Sequence, residues 1–289
     1  SLGHAGFMSV GAFTGVTAAV ALGRNVSSGP VLLIVGMVVG VLFAALVGFL
    51  IGIPVLRLKG DYLAIVTLAF GEIIKGIFNN LYVGVDSSGL HVSLLSDTTN
   101  LAEDGDLVIG GPMGLSGIPR ESTFPAGVIL IILSLIVIFH LVNSRSGRAI
   151  MAVRDNRIAA ESVGISATKY KLMAFVTSAV LAGAAGALYA MNYSSVAAKK
   201  FDFNASILVL VFVVLGGLGN IRGSVIAAAF LTVLPEFLRN LGLDKYRMLV
   251  YAIVLILVMI ATNNENSKEF FAGLRRKLVR SAPEKGVGD

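Results

Sequence analysis

The sequence contains no cysteine, which excludes disulfide bonds, thiolate metal ligands and a cysteine nucleophile from any mechanism. It also contains no tryptophan, so an interfacial aromatic belt could be built only from its 7 tyrosines and 16 phenylalanines. Charge is scarce too, because charged residues make up 14% of the chain, whereas soluble domains carry about a quarter. With 56% hydrophobic residues and a mean hydropathy of +0.86, the 289-residue chain is predicted to be an integral membrane protein.

Eight apolar segments predict the fold class, an all-α polytopic membrane protein with about eight transmembrane segments, and the basic loop adds a short cytoplasmic helix. The third segment is interrupted by Glu72 and Lys75. The sixth and seventh are short for a hydrocarbon core that takes ~20 helical residues, and we expect them to form a structural hairpin. The turn between them contains Gly216, Gly217, Gly219 and Gly223. The segments are Leu2 to Leu22, Pro30 to Leu56, Tyr62 to Phe78, Phe124 to Val142, Leu172 to Val196, Ala205 to Leu218, Val225 to Leu238 and Met248 to Ala261.

The charges between these segments predict the orientation of the chain. The loop from Asn79 to Thr123 is acidic, the loop from Ser144 to Lys171 is basic, and the tail 263–289 is basic. By the positive-inside rule, the basic loop and the tail are cytoplasmic and the acidic loop lies on the opposite side, around one transmembrane domain of residues 1–262. The net charge of +6 does not indicate a nucleic-acid partner, since the basic residues lie mainly in loops beside the bilayer.

No motif for catalysis or nucleotide binding is present. No stretch matches G-x-x-x-x-G-K-[ST], so the chain cannot hydrolyse ATP by that route. His4, His91 and His140 lack metal-ligand or hydrolase spacing, and for His4 a packing or helix-end role is the simpler interpretation. Small residues instead recur at spacings that let helix backbones approach closely. They are Gly11 and Gly15, Gly36 and Gly40, Gly48 and Gly52, and the run from Ala182 to Ala187.

One pair of charges interrupts an apolar segment and is a candidate for function. Glu72 and Lys75 would share one helical face in LAFGEIIKG. Ionisable groups at membrane depth are costly and usually face a bundle interior or a water path. We therefore take Thr67, Gly71, Glu72 and Lys75 as a candidate translocation path. The alternative is that the helix ends near Gly71 and both charges lie among the lipid headgroups.

The stretch AVRDNRIAAESVGIS in the basic loop predicts a short helix. Asp155 is expected to cap its start, Arg157 and Glu161 to form an i, i+4 pair, and Gly164 to stop it after about two turns. Held between two spans, such a helix would be a rigid knob suited to a partner's groove. The pattern alone is equally compatible with a helix lying on the headgroups.

Five sequence blocks, taken in order, resemble the permeases of branched-chain amino-acid ABC importers, in particular the M-type of their two paired permease subunits. The resemblance runs from Ser1 to about Ala261. The blocks are SLGHAGFMSVGAF, LRLKGDYLAIVTLAFGEI, GGPMGLSGI, SGRAIMAVRDNRIAAESVGISATKYKLMAF and VVLGGLGNIRGS.

This resemblance implies a bacterial inner-membrane permease that pairs with a homologous H-type permease, two cytoplasmic ATPase subunits and a periplasmic binding protein. ATP and Mg would be bound by the ATPase subunits, and no cofactor or metal by this chain. Family members usually carry hydrophobic sequence before the first block, so the natural beginning is expected to be missing. By position, an ATPase-coupling role falls on Arg154, Asp155, Asn156, Arg157, Ala159, Ala160, Glu161 and Gly164.

Several functions remain open at this point. An importer of leucine, isoleucine and valine leads, with urea, short amides and other amino acids as close alternatives, since the residues contain no substrate code. A secondary transporter using Glu72 and Lys75 as an ion or proton relay would work without partners. A structural scaffold would tolerate loss of both the charged pair and the basic loop. A membrane enzyme has the least support, since no nucleophile–base pair or metal cluster appears.

The predicted orientation can be tested with single cysteines in this cysteine-free chain. A cysteine replacing Ser88 should react with a membrane-impermeant thiol reagent in intact cells, whereas one replacing Ser146 should react only after the membrane is opened. The reverse pattern would invert the topology.

Overall fold

The computed structural model describes residues 2–58, 60–95, 101, 102, 105–240, 253 and 256, which are mostly helical. The chain divides into two compact units, Ser1–Ile207 and Leu208–Asp289. The helices of the described residues are α1 His4–Gly23, α2 Gly29–Val55, α3 Asp61–Asn79, α4 Phe124–Asn143, α5 Arg145–Asp155, α6 Arg157–Ser162, α7 Ala167–Ala190, α8 Phe203–Gly216 and α9 Ile221–Asn240.

Among the described residues, five helices are long and apolar enough to cross a membrane, namely α1, α2, α3, α4 and α7. They correspond to the first five predicted segments. The apolar parts of α8 and α9 are shorter, and the eighth predicted segment, Met248 to Ala261, lies almost entirely outside the described residues. The chain is therefore a multi-pass membrane protein, and the predicted count of about eight spans is not confirmed.

The expectation of an all-α protein is wrong between α3 and α4, where a small antiparallel sheet forms. Its strands are β1 Leu81–Asp86, β2 Gly89–Leu94 and β3 Asp106–Gly110, in the order β2-β1-β3. Val83 and Val85 of β1 are buried in the same hydrophobic core as residues of the helices. The period-2 alternation in LHVSL was the available signal for β2, because alternate side chains point to opposite faces of a strand.

The turn between β1 and β2 is closed by one carboxylate. Asp86 accepts hydrogen bonds from the hydroxyl and amide of Ser88, at 2.6 and 2.8 Å, and from the amides of Gly89 and Ala102. The Nε2 atom of His91 lies 3.0 Å from Oδ2 of Asp86, the oxygen that also accepts from Ala102. These donors, the Ser88 hydroxyl first, hold the pKa of Asp86 well below its usual range. The turn is thus fixed by a group that stays ionised at physiological pH.

The core of the membrane bundle is formed where α1, α2 and α7 touch through glycine. A Cβ atom added to Gly11 would lie 2.0 Å from the carbonyl oxygen of Gly183 on α7. One added to Gly15 would lie 2.6 Å from the carbonyl oxygen of Gly36 on α2, and one added to Gly40 2.7 Å from that of Gly11. No side chain fits at these contacts. The predicted close approach of helix backbones is confirmed.

In the second unit, a tight turn joins α8 to α9. Gly217 and Gly219 have φ of +91° and +86°, a backbone region that favours glycine. A Cβ atom on Gly223 would lie 2.0 Å from the carbonyl oxygen of Gly216, so this part of the turn has no room for side chains. The amide of Gly223 donates to the side chain of Asn220, which caps the start of α9. The role of this turn as a structural hairpin stays a prediction.

Two glycine-to-alanine variants should separate packing from helix propensity. Gly11→Ala places a methyl group against backbone and should lower stability by about 1–3 kcal/mol, the usual cost of overpacking. Gly76→Ala is the matched control, since nothing lies within 4 Å of its added Cβ atom and alanine is the better helix former. Thermal unfolding of the purified proteins measures both. Equal midpoints would show that the α1–α7 contact does not limit stability.

Candidate functional site

The basic loop is folded into two short helices that are rigidly joined to α4. Ser144 lies between α4 and α5, where its hydroxyl donates to the carbonyl of Leu141 at 2.6 Å and accepts from the amide of Gly147 at 3.0 Å. A Cβ atom on Gly147 would lie 2.1 Å from the carbonyl oxygen of Leu141. The close turn therefore requires glycine, and α5 leaves the end of α4 in a fixed direction.

The cap of α6 is Asn156, and the expectation that Asp155 caps it is wrong. The side-chain oxygen of Asn156 accepts a hydrogen bond from the amide of Ala159 at 3.1 Å. Asp155 is the last residue of α5 and forms an ion pair at 2.8 Å with Arg154. The sequence did not predict α5, and since Asp and Asn cap about equally well, it could not tell the two positions apart.

The end of α6 has the geometry expected of a glycine stop. Gly164 has a φ of +86°. Its amide donates to the carbonyl of Glu161 at 3.1 Å, and the amide of Ile165 donates to the carbonyl of Ala160 at 3.0 Å. This pair of bonds is the Schellman motif, which satisfies the last carbonyls of a helix and reverses the chain. The next helix, α7, therefore begins close to α6.

Packing and charge hold α6 in place and leave two aliphatic side chains exposed. Ala160 is buried with Val153 and Ala167 in a small cluster of α5, α6 and α7. Arg157 and Glu161 form the predicted ion pair, at 2.9 Å. Ile158 and Val163 are 81% and 74% exposed.

These two exposed side chains give α6 the chemistry of a docking surface. Buried apolar centres with charged rims are typical of protein interfaces, and Ile158 and Val163 lie in a loop rich in charge. Sequence reasoning did not single out Val163. The available signal was an aliphatic residue directly before the glycine that ends the helix.

The candidate path residues fall into two groups on α3. Thr67 and Gly71 face α1: the hydroxyl of Thr67 accepts from the amide of Leu2 at 3.2 Å, and a Cβ atom on Gly6 would lie 3.0 Å from the Cα of Gly71. Glu72 and Lys75 form an ion pair on the adjoining surface. The helix is continuous from Asp61 to Asn79, so the alternative that it ends near Gly71 is wrong.

The histidine nearest to this region has a packing role. His4 is the first residue of α1, and its Nε2 atom lies 3.2 Å from the hydroxyl of Ser178 on α7. Its ring meets that of Phe7 edge-on. Within the described part of the chain, no three His, Asp or Glu side chains come together as metal ligands.

The comparisons with known proteins agree on one family. The profile of "Branched-chain amino acid transport system / permease component" matches residues 1–259. The high-affinity branched-chain amino acid transport system permease protein LivM of Salmonella typhimurium is 34% identical over 90% of this chain and 61% of its own, and that of Escherichia coli 38% over 76% and 53%. The chain thus spans little more than half of these relatives.

The same comparison also reaches sugar permeases. The ribose import permease protein RbsC of Escherichia coli is 29% identical over 89% of this chain and 77% of its own length. No solved structure matches this chain.

Two neighbouring substitutions should identify the cap of α6. Asn156→Ala removes the bond to the amide of Ala159 and should speed hydrogen exchange in α6 about fivefold, since a lost cap costs about 1 kcal/mol. Asp155→Ala, the matched control, removes only an exposed pair with Arg154 and should leave exchange nearly unchanged. A larger effect of Asp155→Ala, measured by mass spectrometry, would restore Asp155 as the cap.

Proposed function

We propose that this chain, which belongs to the branched-chain amino acid transport system permease family, is the membrane-spanning subunit of an ATP-driven, binding-protein-dependent importer of leucine, isoleucine and valine. It is a multi-pass protein of the inner membrane. The LivM proteins of Salmonella typhimurium and Escherichia coli support this substrate, because they are 34% and 38% identical to the chain, whereas the ribose permease of Escherichia coli is 29% identical.

The proposed importer contains partners that supply what this chain lacks. The sequence has no phosphate-binding loop, so two ATPase subunits would bind ATP and Mg and hydrolyse ATP. A homologous H-type permease would complete the membrane part, and a periplasmic binding protein would deliver the amino acid. The orientation predicted from charge places the sheet of β1–β3 on the side of the binding protein and α6 on the side of the ATPases.

The observation that carries the proposal is the rigid construction of α6. A permease without its own ATPase must receive work mechanically, and a capped helix transmits a push between rigid bodies better than a loose loop does. Asn156, Ala160 and Gly164 shape the helix, while Ile158 and Val163 supply apolar contact to the ATPase. Arg154, Asp155, Arg157 and Glu161 would form the charged rim of the contact. The amide of Ala159 donates to the capping side chain of Asn156.

The experiment is reconstitution of the complete importer in proteoliposomes. The binding protein is supplied on one side of the membrane and ATP on the other, where the ATPase subunits lie. We expect uptake of leucine that requires both ATP and the binding protein. Uptake of ribose in place of leucine would move the chain to the sugar permeases. Uptake driven by an ion gradient without ATP would favour a secondary transporter that uses Glu72 and Lys75.

Three variants test the coupling role of α6 in this system. Glu161→Lys breaks the pair with Arg157, Gly164→Val strains a position of positive φ, and Ile158→Glu puts a charge into the apolar contact. Each should insert normally yet lower leucine uptake at least about tenfold, with ATPase subunits lost or no longer stimulated by loaded binding protein. Lys169→Gln, an exposed change on the first turn of α7, is the control. Full uptake and stimulation in all three variants would remove α6 from the coupling path.

A further inference from the structure

The chain that follows α7 turns back along α1 towards the start of that helix. Val196 exchanges backbone hydrogen bonds with Leu115 at 2.9 and 3.2 Å, and Leu115 in turn pairs with Ile109 of β3. The ring of Phe201 then lies 6.5 Å from that of Phe13, and Ser206 accepts a hydrogen bond from the amide of Ala5 at 3.1 Å.

We call residues 197–202 the returning segment. The contacts above show how far along α1 this segment extends. Phe13 precedes the last residue of α1 by ten positions, about 15 Å of helix, and Ala5 by eighteen, about 27 Å. The segment is a short 3-10 helix and extended backbone, and α8 begins only at Phe203. Backbone that is not α-helical is tolerated at membrane depth where protein buries it or where it lines a water-filled cavity.

The returning segment meets the charged pair of α3 at that depth. Glu72 lies eleven residues, about 16 Å, after the first residue of α3 and seven residues, about 10 Å, before its last. Glu72, Asp202 and Ser206 line one crevice of about 160 Å³, which is too narrow to admit water in this conformation. Lys75 is paired with Glu72 at its edge. Three charges of both signs thus lie in or beside one partly exposed crevice at this depth.

The remaining wall of the crevice is apolar. It includes Leu68 of α3, Phe201 and Phe203. Asp202 also caps α8, because its two oxygens accept from the amide of Ala205 and the side-chain amide of Asn204, each at 3.0 Å. Each carboxylate oxygen can accept a second hydrogen bond, so Asp202 can bind another donor while it caps α8.

We propose that this crevice is a closed section of the translocation path and takes an α-amino acid zwitterion with an aliphatic side chain. The substrate ammonium group would contact Glu72 and Asp202, its carboxylate would contact Lys75, and its side chain would lie against Leu68 and Phe201. An ammonium and a carboxylate cross a low-dielectric region at the lowest cost when each meets an opposite charge. The inference rests on the proposed function and adds Asp202 to its residues.

The path is tested by the reactivity of single cysteines in the complete importer. Leu68→Cys and Ser206→Cys lie in the crevice and leave all three charges in place. Ile73→Cys, at a similar depth on another face of α3 and 54% exposed in this chain, is the matched control. During ATP turnover the two crevice cysteines should react with a water-soluble thiol reagent at least about tenfold faster than the control, as expected if charges at this depth line a water path. Leucine should slow this reaction, whereas 4-methylpentanoate, which lacks the ammonium group, should not.

Charge-removing variants provide a second readout. Asp202→Asn and Lys75→Met should each lower the leucine transported per ATP hydrolysed, while hydrolysis stimulated by loaded binding protein continues. Asp106→Asn, which neutralises an exposed carboxylate of β3, is the control and should transport normally.

The possible results separate this inference from the proposed function. If the wild-type importer takes up leucine but the crevice cysteines react no faster than Ile73→Cys, the path is wrong and the importer stands. If the crevice cysteines react but 4-methylpentanoate protects as well as leucine does, the zwitterion assignment is overturned. If the wild type takes up no leucine, the proposed function itself fails.

Discussion

Direct contact between helix backbones is the constraint on which the rest of this structure depends. Lipid tails are as apolar as the side chains they surround, so helices in a bilayer gain little from hydrophobic burial and associate through close packing. Here α1, α2 and α7 meet at Gly11, Gly15 and Gly40, where carbonyl oxygens of a neighbouring helix occupy the space of a side chain. The three helices consequently form one body, against which α3 packs through Gly71 and through the stacking of Phe13 on Phe78.

That body connects the two candidate sites. Ala160 of α6 packs against Ala167 at the start of α7, and α7 carries Gly183 into the contact with α1. At its own start, α1 is tied to α3 by Thr67 and to the start of α8 by Ser206. A force applied to α6 would therefore pass through packed helices to the crevice at Glu72 without crossing a loose segment.

The sequence could predict those parts of the fold whose secondary structure is determined by the local pattern of residues. Continuous apolar runs predicted α1, α2, α4 and α7, and a glycine after a short polar helix predicted the stop at Gly164. The sheet was missed because its strands are short and lie in a polar segment, and the cap was misplaced because Asp155 and Asn156 have equal capping chemistry. The meeting of Asp202 with Glu72 could not be predicted, since it depends on how far residues 197–202 return along α1. From the sequence alone, such a segment can be described only as a connection between two spans.

The helix α4 has a different relation to the rest of the protein. None of its residues is buried within the described chain, although its end is fixed to α5 through Ser144 and Gly147. Its tilt is therefore set by whatever surrounds the protein, because few intramolecular contacts resist a change. Through that joint, a change in the tilt of α4 would move α5, which leaves the end of α4 in a fixed direction. In the proposed importer, the thickness of the bilayer would then be a mechanical variable as well as a property of the solvent.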